Sequence, residues 1–131
     1  MEPSPGGLIV AVSDDPAVAD DLRFGLPDGF EVVAADDART AWKEMTGDAR
    51  HPVAVVVDLQ TGSAGGFSLA REMATSARLE TVPVVMLIER DQDTWLARQA
   101  GAEVVLRRPL HPGALAAAVL SALSRSSLSA G

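Results

Sequence analysis

One stretch of the sequence, Val53 to Val57, is apolar at every position and ends at an aspartate, Asp58. A strand with one face in water alternates apolar and polar side chains, so an uninterrupted apolar run indicates a strand buried on both faces. Such strands belong to parallel sheets that carry helices on each side. The run therefore predicts a layered α/β domain, with Asp58 at the carboxyl end of an inner strand.

Four further apolar runs predict strands, and helical patterns separate the five runs from one another. The predicted strands are Leu8–Val12, Phe30–Ala35, Val53–Val57, Val84–Ile88 and Val104–Leu106. The predicted helices are marked in turn by Val18, Leu22 and Leu26; Ala38, Trp42 and Met45; Phe67, Ala70, Met73 and Ala77; Trp95, Leu96 and Gln99; and Leu115, Val119, Ala122 and Leu123. Parallel strands need crossover connections, which are almost always right-handed. We therefore predict a three-layer α/β/α sandwich around a five-stranded parallel sheet.

The chain of 131 residues has the length of one domain. Residues 1–7 contain Pro and Gly without an apolar period and predict a flexible N-terminal arm. The domain itself is expected over residues 8–124, and residues 125–131, mostly Ser, Ala and Gly, predict a flexible C-terminal tail. The sequence contains no cysteine, which excludes disulfides, thiol catalysis and cysteine-ligated zinc.

The formal net charge is −7, and an acidic surface repels the phosphate backbone of nucleic acids. No apolar run approaches the roughly 18 residues that a membrane-spanning helix needs. The first residues also lack the basic region and the apolar stretch of a secretory signal. We therefore expect a cytoplasmic protein that binds neither nucleic acid nor a membrane.

Polar residues stand where the predicted strands end, and a parallel sheet brings these ends to one edge. The first strand ends at Ser13–Asp15, the third at Asp58 and the fifth near Arg108. Asp14 is therefore expected to face Asp58, and two carboxylates held close together repel each other unless a cation lies between them. Two arrangements are open at this point: a Mg²⁺ ion held by oxygen ligands, or Arg108 neutralising the pair.

Some of these acids have a simpler explanation. Asp15 and Asp36 each stand just before a predicted helix, where an aspartate caps the first turn. Asp58 differs from them, because it follows a buried strand and precedes a loop rich in glycine. An acid at such a position is more often functional than structural.

In the order and spacing of several segments, the sequence resembles the receiver domain of two-component response regulators over residues 8 to 123. The matching segments are Ser13-Asp14-Asp15-Pro16, Val55-Val56-Val57-Asp58-Leu59, Gly66, Pro83-Val84-Val85-Met86-Leu87, Gly101-Ala102-Glu103 and Arg108-Pro109-Leu110. The resemblance implies a flavodoxin-like (βα)5 fold. It also implies a reaction in which an aspartate carboxylate attacks a phosphohistidine or a small phosphodonor.

Carried over position by position, the resemblance makes Asp58 the phosphoryl acceptor. Asp14, Asp58 and the backbone carbonyl of Gln60 would then bind Mg²⁺. Pro109 would follow a cis peptide bond that places the preceding basic residue, Arg108, at the site. In the family, the metal ion and the basic residue stabilise the charge on the transferring phosphoryl group.

The acidic turn departs from the family pattern. Aligned on Pro16, the usual pair of acids becomes Ser13 and Asp14, and Asp15 falls on a more variable position. Sliding the alignment to pair Asp14 with Asp15 would restore two acids but would displace Pro16. We prefer the alignment on Pro16, which leaves the Mg²⁺ site one carboxylate short.

Two other signature positions, Ile88 and Arg108, are altered, as is the position of the family's aromatic switch, Val105. Ile88 stands where the family has a Thr or Ser whose hydroxyl binds the phosphate, and Val105 replaces an aromatic residue that changes rotamer. Arg108 stands where the family has a lysine, so it would either hold phosphate in bidentate fashion or form a standing salt bridge with Asp58. We therefore expect an atypical or pseudo-receiver with an incomplete phosphorylation site and at most weak Mg²⁺ binding.

These features predict a stand-alone receiver-like signalling module that acts by protein–protein interaction and is not an enzyme. The expected partner is a histidine kinase, another regulator or an effector enzyme. Trp95 in the fourth helix is a candidate anchor for such a partner. A homodimer through the fourth helix, the fifth strand and the fifth helix is an open alternative.

Three other functions are alternatives to this prediction. The first is a conventional Mg²⁺-dependent regulator that accepts a phosphoryl group on Asp58. The second is an aspartate-dependent phosphatase, which needs a second acid two residues after the nucleophile, where Gln60 stands. The third is a flavin- or nucleotide-binding module, but the turn after the first strand is acidic and contains no glycine-rich phosphate loop.

Overall fold

The computed structural model of the chain describes residues 7–46, 51–59, 65–108 and 110–130. Within these parts, five strands alternate with five helices. The strands are β1 (Gly7–Val12), β2 (Phe30–Ala35), β3 (Pro52–Asp58), β4 (Val84–Ile88) and β5 (Val104–Arg107). The helices are α1 (Pro16–Gly25), α2 (Ala38–Thr46), α3 (Gly65–Thr75), α4 (Asp93–Gln99) and α5 (Ala114–Ala130).

All strand pairs are parallel, and the order across the sheet is β2-β1-β3-β4-β5. The apolar run that includes Val53 to Val57 therefore lies in the middle strand of the sheet. Val12 pairs with Val57, and Asp58 pairs with Leu87. The predicted fold, a three-layer sandwich around a five-stranded parallel sheet, is confirmed.

The side chains of the inner strands alternate between two apolar layers, one on each face of the sheet. Residues of β1 and β3 such as Val10 and Val57 pack with α2, α3 and α4, whereas Ile9 and Val56 pack with α1 and α5. Both faces are therefore removed from water, which explains why these strands carry no polar alternation. Burial of this apolar area is the main force that holds the three layers together.

Most strand and helix boundaries agree with the predictions, and the differences lie at the ends of helices. The third helix stops at Thr75, so Ala77 is exposed, and Leu79 is the buried residue that follows the helix. The fourth helix begins at Asp93 and contains the predicted Trp95, Leu96 and Gln99. Backbone hydrogen bonds of a short turn, from Leu79 and Glu80 to the carbonyl of Ser76, replace the last predicted turn of α3.

The C-terminal helix is longer than predicted. It continues to Ala130, so the segment from Arg125, which we expected to leave the domain as a tail, has helical backbone. Serine and alanine are compatible with a helix, and the earlier turns of α5 are anchored by buried Leu115 and Val119. The predicted N-terminal arm lies almost wholly outside the described residues. None of the described helices is long and apolar enough to cross a membrane.

Aspartates begin two of the helices on either side of the sheet. Asp15 is the N-cap of α1 and accepts a hydrogen bond from the backbone N–H of Ala17 at 3.0 Å, as predicted. At α2, where the sequence predicts a cap from the pair Asp36-Asp37, Asp37 rather than Asp36 makes the capping bond, accepting the N–H of Thr40 at 2.8 Å. The bonds from Thr40 hold the pKa of Asp37 below its ordinary value of 3.8.

We predict that Asp37→Ala lowers the melting temperature, because the first turn of α2 loses its cap. A carboxyl with a lowered pKa in the folded state stabilises the protein above its ordinary pKa, and the effect is lost as the pH falls through the lowered value. Thermal melts from neutral to acidic pH should therefore show a difference between variant and wild type that shrinks below pH 3.8. Asp36→Ala is the matched control; an equal loss in both variants at neutral pH would contradict the assignment.

Candidate functional site

The carboxyl ends of β1, β3 and β5 meet at one edge of the sheet. Since Val12 pairs with Val57, the next residues along these strands, Ser13 and Asp58, lie side by side. The backbone N–H of Ser13 donates to the carbonyl of Ala35 at the end of β2 (2.9 Å). The N–H of Arg108 donates to the carbonyl of Ile88 at the end of β4 (2.9 Å). The sheet's own hydrogen bonds therefore fix the backbone of each residue at this edge.

Asp58 is the centre of a buried polar cluster. Its Oδ2 accepts one hydrogen bond from the Ser13 hydroxyl (2.8 Å) and another from Nη2 of Arg108 (2.7 Å). Asp58 is 2% exposed and Ser13 is 5% exposed. A buried carboxylate is costly unless a cation and hydrogen-bond donors compensate it. The guanidinium and the hydroxyl supply that compensation, so the standing salt bridge considered from the sequence is present.

Arg108 also reaches the acidic turn after β1. Its Nη1 lies 3.8 Å from a carboxylate oxygen of Asp15, while Ser13 Oγ accepts the backbone N–H of Asp15 at 3.0 Å. We call Ser13, Asp15, Asp58 and Arg108 the Asp58 cluster. One guanidinium therefore faces two carboxylates, and its buried Nε has no hydrogen-bond partner. The planar fork of arginine suits this role, because a lysine ammonium is a compact charge without the same reach.

Asp14 follows Ser13 in the turn after β1, and its side chain is exposed. The hydrogen bond to Asp58 comes from Ser13, as the alternation of side chains along a strand explains. Ile9 and Ala11 of β1 face the layer of α1 and α5, as do Ala54 and Val56 of β3. Continuing each series by two residues brings Ser13 and Asp58 to the same face.

The same rule accounts for Arg108 and for the altered position on β4. Val104 and Leu106 pack with the layer of α1 and α5, so Arg108 continues the series onto the face of Asp58. Ile88 is 1% exposed and packs in the opposite layer, together with Val105. This alternation is present in the sequence and is the signal that would have paired Ser13, rather than Asp14, with Asp58.

The described residues do not fit a Mg²⁺ site as they are arranged. They contain no group of three His, Cys, Asp or Glu side chains that could hold a metal ion. Mg²⁺ prefers several oxygen ligands with octahedral geometry, whereas the oxygen of Asp58 that faces the edge is bonded to a guanidinium. Gln60, expected to contribute its carbonyl, lies outside the described residues, as does the cis-proline candidate Pro109.

The partner candidate Trp95 lies away from this cluster, on α4. Its side chain is 66% exposed, and the adjacent Leu96 is 42% exposed. Trp42 is half-buried against the core layer of α2, α3 and α4, in agreement with its predicted packing role. The large exposed side chain that the sequence reasoning did not single out is Phe24 of α1, at 88%.

We predict that Arg108→Met lowers the free energy of unfolding by about 2–4 kcal/mol, because it leaves the Asp58 carboxylate buried without its cation. Adding Asp58→Asn should recover most of the loss, since the uncompensated charge is then removed. Urea denaturation measures both effects. Arg98→Met, at an exposed arginine of α4, is the matched control and should stay within about 0.5 kcal/mol of wild type. Similar losses at both arginines would contradict the role assigned to Arg108.

Known proteins resemble this chain in sequence and in fold. A family model described as the response regulator receiver domain matches residues 9–120. The response regulator MprA of Mycolicibacterium vanbaalenii is 31% identical over 104 residues, which cover 77% of this chain and 43% of MprA. A 14.6 kDa protein of Leptolyngbya boryana, encoded 3' of sodA1 and uncharacterised, is 31% identical over 107 residues that cover 79% of this chain and 80% of that protein.

Solved structures agree with this relationship. A protein of Chloroflexus aurantiacus assigned to the response regulators superposes with a TM-score of 0.79 at 25% identity, covering 95% of this chain and 100% of that one. NtrX from Brucella abortus superposes with a TM-score of 0.76 at 27% identity, covering 94% of this chain and 28% of NtrX. The chain thus spans less than half of the length of MprA and of NtrX. With the family model matched from β1 into α5, and with an aspartate ending the middle strand, the chain belongs to the response regulator receiver domain family.

Proposed function

We propose that this receiver domain signals by binding other proteins without phosphorylation of Asp58. The observation that carries the proposal is the pair of hydrogen bonds on Asp58 Oδ2, from Ser13 Oγ at 2.8 Å and from Arg108 Nη2 at 2.7 Å. A buried carboxylate oxygen held by two donors is poorly placed to act as a nucleophile. We place this module in the cytoplasm, as expected from the sequence.

The chemistry of phosphoryl transfer supports this argument. A carboxylate oxygen must approach phosphorus in line with the leaving group, and cations must neutralise the charge on the transferring oxygens. In the Asp58 cluster, the single guanidinium is already shared between Asp58 and Asp15. Phosphorylation would require Arg108 to leave Asp58, and a charge-assisted hydrogen bond of this kind contributes about 1.5–3 kcal/mol. The resting arrangement therefore opposes the reaction.

The residues that would report phosphorylation also support the proposal. Ile88 has no hydroxyl to donate to a phosphate, and its side chain is fully buried in the apolar layer of α2, α3 and α4. Val105 is partly buried against the same layer and has no aromatic ring to change rotamer. A phosphoryl group on Asp58 would therefore meet neither of the two side chains through which the family transmits the change.

We predict that the wild-type domain shows no saturable change in its amide NMR spectrum with beryllofluoride and millimolar Mg²⁺. The triple variant Ser13→Asp, Ile88→Thr, Arg108→Lys should gain such a change, because it restores an acid, a hydroxyl and an ammonium at the family's positions. Intact mass after treatment with acetyl phosphate gives a second readout.

Asp58→Asn, made in both backgrounds, is the control for the site of modification. An adduct on wild-type Asp58 that is absent from the Asn variant would contradict the proposal. That result would favour the alternative function, a conventional Mg²⁺-dependent regulator. A triple variant that folds but stays unresponsive would show that the three substitutions do not explain the loss of the reaction.

The proposed partner-binding face is on α4. Trp95 and Leu96 expose 66% and 42% of their surface in a helix of seven residues. Exposed tryptophan is an effective anchor in protein interfaces, because its large ring leaves water on binding. Arg107 and Asp91 form an ion pair of 3.0 Å in the same region and offer polar contacts around the anchor. A histidine kinase, another regulator or an effector enzyme are the partner classes we propose for this face.

A second copy of the chain is one proposed partner that can be tested with the protein by itself. We predict a reversible dimer in sedimentation velocity experiments at high protein concentration, and at least about a tenfold weaker dimer for Trp95→Ser, since a central anchor is lost. Phe24→Ser, at an exposed aromatic residue of α1, is the matched control and should leave the dimer intact. A wild-type protein that stays monomeric would exclude the homodimer.

A further inference from the structure

Phe24 has the most exposed large apolar side chain in the described part of the chain, at 88%. It lies near the C-terminal end of α1, eight residues after Pro16, which begins the helix beside the Asp58 cluster. At 1.5 Å per residue, this separation is about 12 Å along the helix. The exposure of Phe24 is therefore unrelated to the chemistry at the carboxyl edge of the sheet.

The packing of α1 leaves Phe24 no way to turn inward. Val18 and Leu22 are buried in the layer of α1 and α5 and fix the rotation of the helix. On the side toward α5, Gly25 is so close that a Cβ atom built on it would lie 2.8 Å from the Cβ of Ala116. Rotating α1 to bury Phe24 would expose Leu22 and push the helix into α5. The phenyl ring is therefore held in solvent by the fold.

Three carboxylates lie close to Phe24 along the chain. Asp20 and Asp21 precede Phe24 by four and three residues, on the same side of the helix; Asp20 is exposed, whereas partly buried Asp21 accepts the backbone N–H of Gly113 at 3.5 Å. Asp28 follows Phe24 by four residues, after the end of α1 at Gly25, and is exposed. The nearby Arg23 is turned toward β2, where its Nη2 donates to a backbone carbonyl at 3.0 Å, while its Nη1 lies 3.5 Å from Asp20. Three carboxylates and one guanidinium, that of Arg23, give this part of the chain a net negative charge.

We propose that Phe24, Asp20, Asp21 and Asp28, which we call the Phe24 surface, bind a basic segment of a partner protein. The partner would present an apolar socket for the ring, flanked by Lys or Arg side chains that face the three carboxylates. The ring supplies apolar area that leaves water on binding, and the carboxylates speed the encounter and select the partner's charge.

The charges argue against a second copy of the chain at this surface. A symmetric dimer through Phe24 would place the Asp20 and Asp21 of one protomer against acids of the other. Like charges brought together at an interface are strongly unfavourable. A basic partner removes this repulsion, so the proposal commits to that occupant.

The test uses a designed helical peptide of leucine and lysine as the probe and its leucine and glutamate counterpart as the charge control. Amide NMR titrations at low salt should show saturable shifts in the C-terminal half of α1 with the lysine peptide only. Phe24→Ser should weaken binding by about tenfold or more, because the apolar anchor is lost. The double variant Asp20→Asn, Asp28→Asn should weaken binding and reduce its dependence on salt.

Two further variants separate this surface from the rest of the domain. Trp95→Ser, the matched aromatic control on α4, and Asp58→Asn, which removes the acid central to the proposed function, should both bind the peptide as wild type does. The proposal is overturned if wild type does not bind the lysine peptide, if Phe24→Ser binds equally well, if the shifts map to α4, or if either control variant loses binding. A dimer that Phe24→Ser dissociates would overturn it in favour of a second copy.

Discussion

The ion pair between Arg108 and Asp58 is the interaction on which the carboxyl edge of this domain depends. The fold places Asp58 at the end of the middle strand, where only 2% of its surface reaches water. A carboxylate in that position needs a cation, and Arg108 supplies one at 2.7 Å. The Ser13 hydroxyl completes the compensation at 2.8 Å. Removing any member would leave a buried polar group without its partner.

Three departures from the family pattern therefore belong to one arrangement. A serine at position 13 donates a hydrogen bond to Asp58. An acid there would add a second negative charge, and a cation such as a metal ion would be needed to offset the repulsion. An arginine at position 108 spans both Asp58 and Asp15, which a lysine reaches less well. Ile88, where the family has a hydroxyl side chain, packs in the apolar layer of α2, α3 and α4. The substitutions therefore support one another physically.

The sequence predicts the sheet and many of the residues at its carboxyl edge, but for different reasons. Strands buried on both faces, such as Val53 to Val57, must be apolar throughout, so uninterrupted apolar runs in the sequence give their positions. The end of α3 was misjudged because Ala77 keeps the helical spacing, while the buried side chain is Leu79, held by a turn that spacing does not reveal. The alternation of side chains along β1 and β3, which the sequence also contains, pairs Ser13 with Asp58. That the Arg108 guanidinium lies close to both Asp15 and Asp58 depends on the path of its side chain, which only the three-dimensional structure gives.

A receiver domain that signals without phosphorylation of Asp58, as we propose, must carry information in another way. In the family, phosphorylation changes the charge at the carboxyl edge. In this chain the guanidinium of Arg108 supplies a cation at that edge. The rings of Trp95 on α4 and Phe24 on α1 are exposed. Because the two rings lie on different helices, they offer two separate surfaces to partners. Occupancy of one surface by a partner, rather than a change at Asp58, would then be the signal that the domain carries.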